Sequence, residues 1–230
     1  MKIMYEFFFP ENRVEQFELN FDDSDFTLGP LPIEEKDSWI KLEFHQCPCC
    51  PLSAETHEYC PVARNLLPVL LRFKSEYSYV DVLTKVHTEN RQTHRYGALQ
   101  DAVSPLIGLI MATSGCPILN KLKPMAVTHL PFANDRETIY RAALAYLFGQ
   151  LIRNKHGKTP DWNMEDFQKL YATIQEINGS FFQRFRELKG KDANVNALLI
   201  LNVFAQIGQF SISNNWIESI SPVFEAYLRD

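Results

Sequence analysis

Four of the five cysteines in this sequence are followed directly by proline: Cys47-Pro48, Cys50-Pro51, Cys60-Pro61 and Cys116-Pro117. Only Cys49 lacks that neighbour. Proline biases the residue before it towards extended backbone and contributes no N–H of its own. Each of the four thiols is therefore expected in a similar stiff, non-helical setting, as a shared structural or metal-binding role requires. Cys47 and Cys50 form a C-x2-C pair, whose thiolates can reach one ion from a single tight turn. With Cys60 and Cys116 they would complete a four-thiolate shell, either for zinc at about 2.3 Å per sulfur or for a [4Fe–4S] cluster. His45 and His57 are alternative ligands, and His57-x2-Cys60 is itself a chelating spacing. Around one zinc the four sulfurs must converge within about 4 Å of one another, so Cys116 has to fold back onto the segment that holds the other three.

Competing readings use the same residues. The thiols can be small buried hydrophobes or a reversible disulfide system, and a Cys-Pro thiolate can serve as an axial haem ligand. Such haem sites normally stand alone, so four in one chain weaken that reading. Cys49 is either a filler or a spare redox-active thiol. Other chemistry is thin. The chain has no G-x-S-x-G, no phosphate-binding G-x-x-x-x-G-K-[ST], no G-x-G-x-x-G and no H-E-x-x-H, and it lacks the paired Glu-x-x-His of a di-iron bundle. His87 and His94 flank a hairpin turn and read as solvated. His129 reads as a hydrogen-bonded core histidine; its alternative is a group supporting the ligands from behind Cys116, or a general base. An enzyme would have only His129 and Cys116 to work with. Asn202, Gln206 and Gln209 make a polar line on an apolar helix, which a buried hydrogen-bond network explains. Asp22, Asp23 and Asp25 lack the glycine and glutamate of an EF-hand and read as a solvated turn.

The elements that position these residues follow from periodicity. Ile3, Tyr5, Phe7 and Phe9 alternate with Met4, Glu6 and Phe8, and after a turn at Pro10-Glu11-Asn12 Phe17, Leu19 and Phe21 alternate with Gln16, Glu18 and Asn20. An acidic loop from Asp22 to Asp37 leads to a third expected strand, with Ile40, Leu42 and Phe44 on one face. Val80, Val82, Thr84 and Val86 give a fourth, and Arg91 to Tyr96 a shorter partner. A helix near Val62 to Lys74 packs on the sheet, and the cysteine loop lies at the end of strand three. From Gly97 onward the period is helical. Phe167, Leu170, Ile174, Ile177, Phe181, Phe185 and Leu188 form one stripe, with Asn163 able to cap its start. Asp192 can cap a following helix to Phe210. Trp216, Ile220, Val223, Phe224 and Tyr227 make a closing helix. The stretch from Ile139 to Ile152 is apolar nearly all round, as a central helix would be. The expected architecture is α+β: an antiparallel sheet of about five strands with one helix over residues 1–97, which also hold the cysteine-rich loop, then a helical bundle over residues 98–230, the two possibly forming one continuous domain.

At 230 residues, with 46% apolar residues and a net charge of −5, the chain can bury a core without disulfide staples, and its charge argues against nucleic acid or an anionic membrane as partner. Met1 to Pro10 does not read as an export signal, which points to a reducing compartment, the cytoplasm, where clustered thiols favour metal or redox chemistry over disulfides. His45-Gln46-Cys47-Pro48-Cys49-Cys50-Pro51-Leu52 and Tyr59-Cys60-Pro61-Val62-Ala63 resemble the signature of a family of uncharacterised bacterial proteins. So do Ser114-Gly115-Cys116-Pro117, His129-Leu130-Pro131-Phe132-Ala133 and Asp192-Ala193-Asn194-Val195-Asn196-Ala197. Its motif H-Q-C-P-x-C-P-L puts Cys49 in a variable slot and implies no activity. The expected function is a non-catalytic zinc or iron–sulfur protein, its partner another protein or a second copy. The alternatives are a redox or metal sensor using a [4Fe–4S] cluster or labile thiols and, more weakly, a small-molecule enzyme.

Overall fold

The computed structural model describes residues 1–33, 38–211 and 214–229, leaving aside the side chains of 209–215. Glu34 to Asp37, at the end of the acidic loop, and the Gln209 side chain of the polar line therefore lie outside the described residues. The N-terminal alternation forms strands as the period-2 pattern requires: β1 (Lys2–Phe8) and β2 (Val14–Asn20) pair as an antiparallel hairpin, Tyr5 facing Phe17. β3 (Asp81–His87) runs antiparallel to the other edge of β1, and β4 (Gln92–Ala98) closes the order β2-β1-β3-β4. Ile3, Tyr5, Phe7 and Leu19 are wholly buried on the face that receives α1 (Pro61–Phe73) and α2 (Leu99–Thr113). There Phe7 and Phe73 meet edge to face at 5.0 Å, a geometry favoured by the ring quadrupoles.

The helical part continues with α3 (Lys123–Val127), α4 (Asp135–Lys155), α5 (Glu165–Glu187), α6 (Ala193–Ser211) and α7 (Asn214–Ile220), and ends in a 3-10 turn, Ser221–Tyr227. Buried side chains from the sheet and the helices form one continuous core, running from Ile3 and Phe7 through Leu106 and Ile110 to Phe181 and Ala197. The architecture is α+β, a four-stranded antiparallel sheet followed by helices.

Several expectations need correction. The segment Ile40–Phe44 does alternate in burial, with Ile40 and Leu42 inside, yet it is not a strand. A 3-10 turn, Ser38–Ile40, precedes it, and among the described residues its ladder contact is a single bridge, Lys41 opposite Tyr59. Its Lys41 and Leu42 carbonyls are taken by a side chain instead of a neighbouring strand, as described below. α4 is not central: Ile139, Ala142 and Ala143 are buried, but Leu144, Phe148, Leu151 and Ile152 face outwards. α5 is not capped by Asn163. Met164 turns through a left-handed conformation (φ 60°), and the Asp161 carboxylate accepts the Glu165 and Asp166 N–H groups at 3.2 and 2.8 Å. Asp192 stands just before α6, but its carboxylate is occupied by the Ser78 N–H and hydroxyl and by the Asn196 amide. Gln206 is exposed and so joins no buried network. His87 is half-buried and paired with Glu6 at 2.7 Å.

Candidate metal centre

The Cys-Pro pairs occupy the starts of turns and helices. The Cys50 N–H donates to the Cys47 carbonyl at 2.9 Å, making a β-turn with Pro48 in the second position, where a fixed φ suits it. Cys60 immediately precedes α1, with Pro61 as the first helical residue, a position where its missing N–H costs nothing. The Asn120 N–H donates to the Cys116 carbonyl at 2.9 Å, opening the 3-10 turn Leu119–Leu122. The recurring proline thus shapes three of the four cysteines by the same local device.

Tertiary contacts then collect them. The Leu42 N–H donates to Glu58 and the Cys60 N–H to Ile40, at 3.0 and 2.9 Å, closing the cysteine loop at its base. Gln46 closes its other part by donating to the Leu52 carbonyl. Asn65, buried on α1, donates to the Ser114 hydroxyl at 3.2 Å and accepts the Leu31 N–H at 3.1 Å. That bond fastens the start of α1 to the end of α2, where Gly115 adopts a φ of 91° and turns Cys116 towards the loop. An alanine at Gly115 meets open space, so only the backbone penalty counts. Gly115→Ala is expected to lower stability by about 1–2 kcal/mol, read from the urea midpoint.

All five thiols are half-buried and free. They stand near enough to oppose one another's ionisation: Cys47 feels Cys60, Cys49 and Cys50, while Cys116 feels Cys50 and acts in turn on Cys49 and Cys60. The fold thus returns Cys116 to the loop of the other four. Burial raises the thiol of Cys47 to about 12, against a hydrogen bond from Ser180. Burial also raises Cys49, Cys60 and Cys116. Cys60 makes no capping hydrogen bond, but the Ala63 and Val62 N–H groups at the start of α1 favour its thiolate. The Leu119 and Ile118 N–H groups do the same for Cys116. The thiols are gathered without being drawn into a ligand shell: among the described residues, no three His, Cys, Asp or Glu side chains are grouped as the ligands of one ion. His45 is exposed, in a left-handed conformation against the Phe44 ring, and exposed His57 bonds Thr56 at 2.9 Å. His129 is hydrogen-bonded to Tyr5 at 2.6 Å.

The residue that sequence reasoning missed is Arg184. It is 1% exposed, and its guanidinium donates to the carbonyls of Trp39, Lys41 and Leu42 at 2.5, 3.0 and 3.1 Å. The Trp39 indole returns a bond to the Arg184 carbonyl at 2.6 Å. Trp39, Phe44 and Phe181 rings stand 5.6 to 5.9 Å from the charge. Among the described residues no carboxylate pairs with it; burial lowers its pKa, and the groups that oppose this are Cys60, Cys47 and Cys50. Glu176, Ser180 and Arg184, four residues apart on α5, face the cysteine loop together. The signal in the sequence was a cation three residues after Phe181 and seven after Ile177, inside the apolar stripe of a long helix.

A sheet and helices share one core, with five free thiols gathered at its edge beside a buried arginine, in an α+β protein. The chain belongs to the family described as domain of unknown function (DUF6901), which matches residues 3–225. Neither the curated proteins nor the solved structures give a match to it. Among the described residues, no helix is long and apolar enough to cross a membrane.

Proposed function

We propose that this is a non-catalytic metal protein, in which Cys47, Cys50, Cys60 and Cys116 hold a zinc ion or a [4Fe–4S] cluster and thereby pin the loop after Trp39 to the helical half. The observation that carries this reading is the buried Arg184 charge facing three of those thiols. Among the described residues no carboxylate answers this charge, and a buried cation left so is costly. Protonated thiols offer none, whereas four thiolates around zinc or a cubane cluster carry net negative charge and supply it. The donor set suits either centre, since thiolate is the preferred ligand of both. Raised thiol pKa values weigh against the labile-thiol alternative, because the thiolate is the reactive form; a cluster-based sensor would use the same four ligands. The outward apolar residues of α4, Leu144, Phe148, Leu151 and Ile152, support a protein partner or self-association, and free thiols support a reducing compartment.

Metal analysis with an absorption spectrum on anaerobically purified protein tests the proposal. A colourless protein with one zinc, or a brown one with iron and sulfide, is the expected result. Protein that holds neither, with all five thiols reacting freely, overturns it.

A further inference from the structure

Away from the thiols, the helices enclose a cavity of about 310 Å³ lined by α2, α3, α4, α5 and α6 and by the loop at His129. Its walls are mainly apolar, with Leu109, Leu122, Ile174 and Phe204 among them, and a few polar groups converge on it. Cavities of this size and make-up, with a small number of placed polar groups, are the usual form of small-molecule sites.

The polar groups favour an anion. Of the two arginines on the lining, Arg95 is answered by Asp101 at 3.5 Å. Arg141 is not bridged: its Nη2 donates to the Met125 and Thr128 carbonyls at 2.7 and 2.8 Å, and Glu137 acts on its charge from one turn back on α4, but among the described residues no carboxylate forms an ion pair with it. Asn178, 2% exposed, lines the cavity from α5, and among the described residues its amide nitrogen has no hydrogen-bond partner. Such an orphan is costly unless something else satisfies it. His129 completes the set. Tyr5 is fully buried, and its hydroxyl has one described acceptor, the His129 Nε2 at 2.6 Å. A Tyr5 hydroxyl donating to Nε2 places the proton of the neutral ring on Nδ1, a further donor. Burial, with the charges of Arg141 and Arg91, lowers His129 to about 3 and keeps it neutral.

We infer that this cavity binds a carboxylate carried on an apolar body, such as a medium-chain fatty acid, with Arg141 taking the acid group, the Asn178 amide as second donor and the α2–α6 walls enclosing the chain. The site uses no thiol and is separate from the proposed metal centre.

Decanoate and decanol, titrated calorimetrically into the full-length protein, are the test, because they share a body and differ in charge. Decanoate is expected to saturate one site and raise Tm, and decanol to bind at least about tenfold more weakly, the worth of one charge-assisted hydrogen bond. Arg141→Gln, which keeps donors for the two carbonyls, should erase that preference. No saturable binding, equal affinities for the two ligands, or an Arg141→Gln protein that binds decanoate unchanged overturns the inference. Should Arg141→Gln fail to fold, Asn178→Leu decides. It removes a buried orphan, so Tm should hold or rise while decanoate weakens severalfold, and unchanged decanoate affinity overturns the inference.

Discussion

Replacing Arg184 with methionine is expected to destabilise the protein by about 3–5 kcal/mol, the range found when one side of a buried ionic or hydrogen-bonded set is removed. Two effects oppose each other. Methionine relieves the desolvation of a cation that is 1% exposed. It also strips donors from the carbonyls of Trp39 and Leu42, each left buried at a cost of about 1–3 kcal/mol, and leaves the Lys41 carbonyl with only the longer Phe44 N–H bond at 3.3 Å. Two orphaned carbonyls and a weakened third outweigh one relieved charge, all the more if thiolates already answer that charge. Lysine is no substitute, since one compact ammonium cannot span three carbonyls in the geometry of a planar fork; Arg184→Lys should lose nearly as much. The measurement is a urea midpoint with the slope unchanged. A loss within about 0.5 kcal/mol, as at an ordinary surface position, would show that the segment from Trp39 to Leu42 does not depend on this side chain. If the metal proposal holds, Arg184→Met should also retain less metal than wild type in the same preparation.

Arg184 also explains where the sequence was and was not legible. β1, β2 and β3 declared themselves because one face is buried against α1 and α2, so the alternation of Ile3, Tyr5 and Phe7 records their pleat. Ile40–Phe44 shows the same alternation for another reason. Its Lys41 and Leu42 carbonyls accept from a residue more than 140 positions away, and no local pattern reports that these hydrogen bonds leave the sheet. α4 misled in the opposite direction. Its apolar residues suggested burial all round, but Ala142 and Ala143 make the close contact and larger side chains remain outside. The cap of α5 was missed because Asp161 reaches it across a left-handed Met164, a conformation that methionine does not advertise. At the site, the Cys-Pro repetition was readable because proline acts within one residue of each thiol. The return of Cys116 rests on Asn65, Ser114 and Gly115, whose roles appear only once α1 and α2 are packed together.

Stripping metal from the protein under reducing conditions is expected to lower its stability by several kcal/mol, since binding energy at a structural thiolate site is folding energy. Unlike a zinc finger, this chain has a large buried core in which the thiols sit only at the edge, so the loss should be partial. Hydrogen exchange should rise first in residues 43–60 and around Cys116, while β1, β3 and α2 stay protected. The pH dependence has a definite sign. Burial raises Cys47 to about 12 and lifts Cys60 and Cys116 as well, so these ligands are protonated at neutral pH without metal and must release protons to bind it. Metal affinity, and the stability linked to it, should therefore rise with pH through the neutral range and fall as acid returns the protons. Cys49→Ala should leave metal content and midpoint unchanged, having neither the proline setting nor a required ligand role. Cys116→Ala should lose both, because it alone brings a ligand from beyond α2. A Cys116→Ala protein that keeps its metal and its midpoint would mean that Cys47, Cys50 and Cys60 find their fourth ligand locally, and that the centre holds the loop closed without tying the halves together.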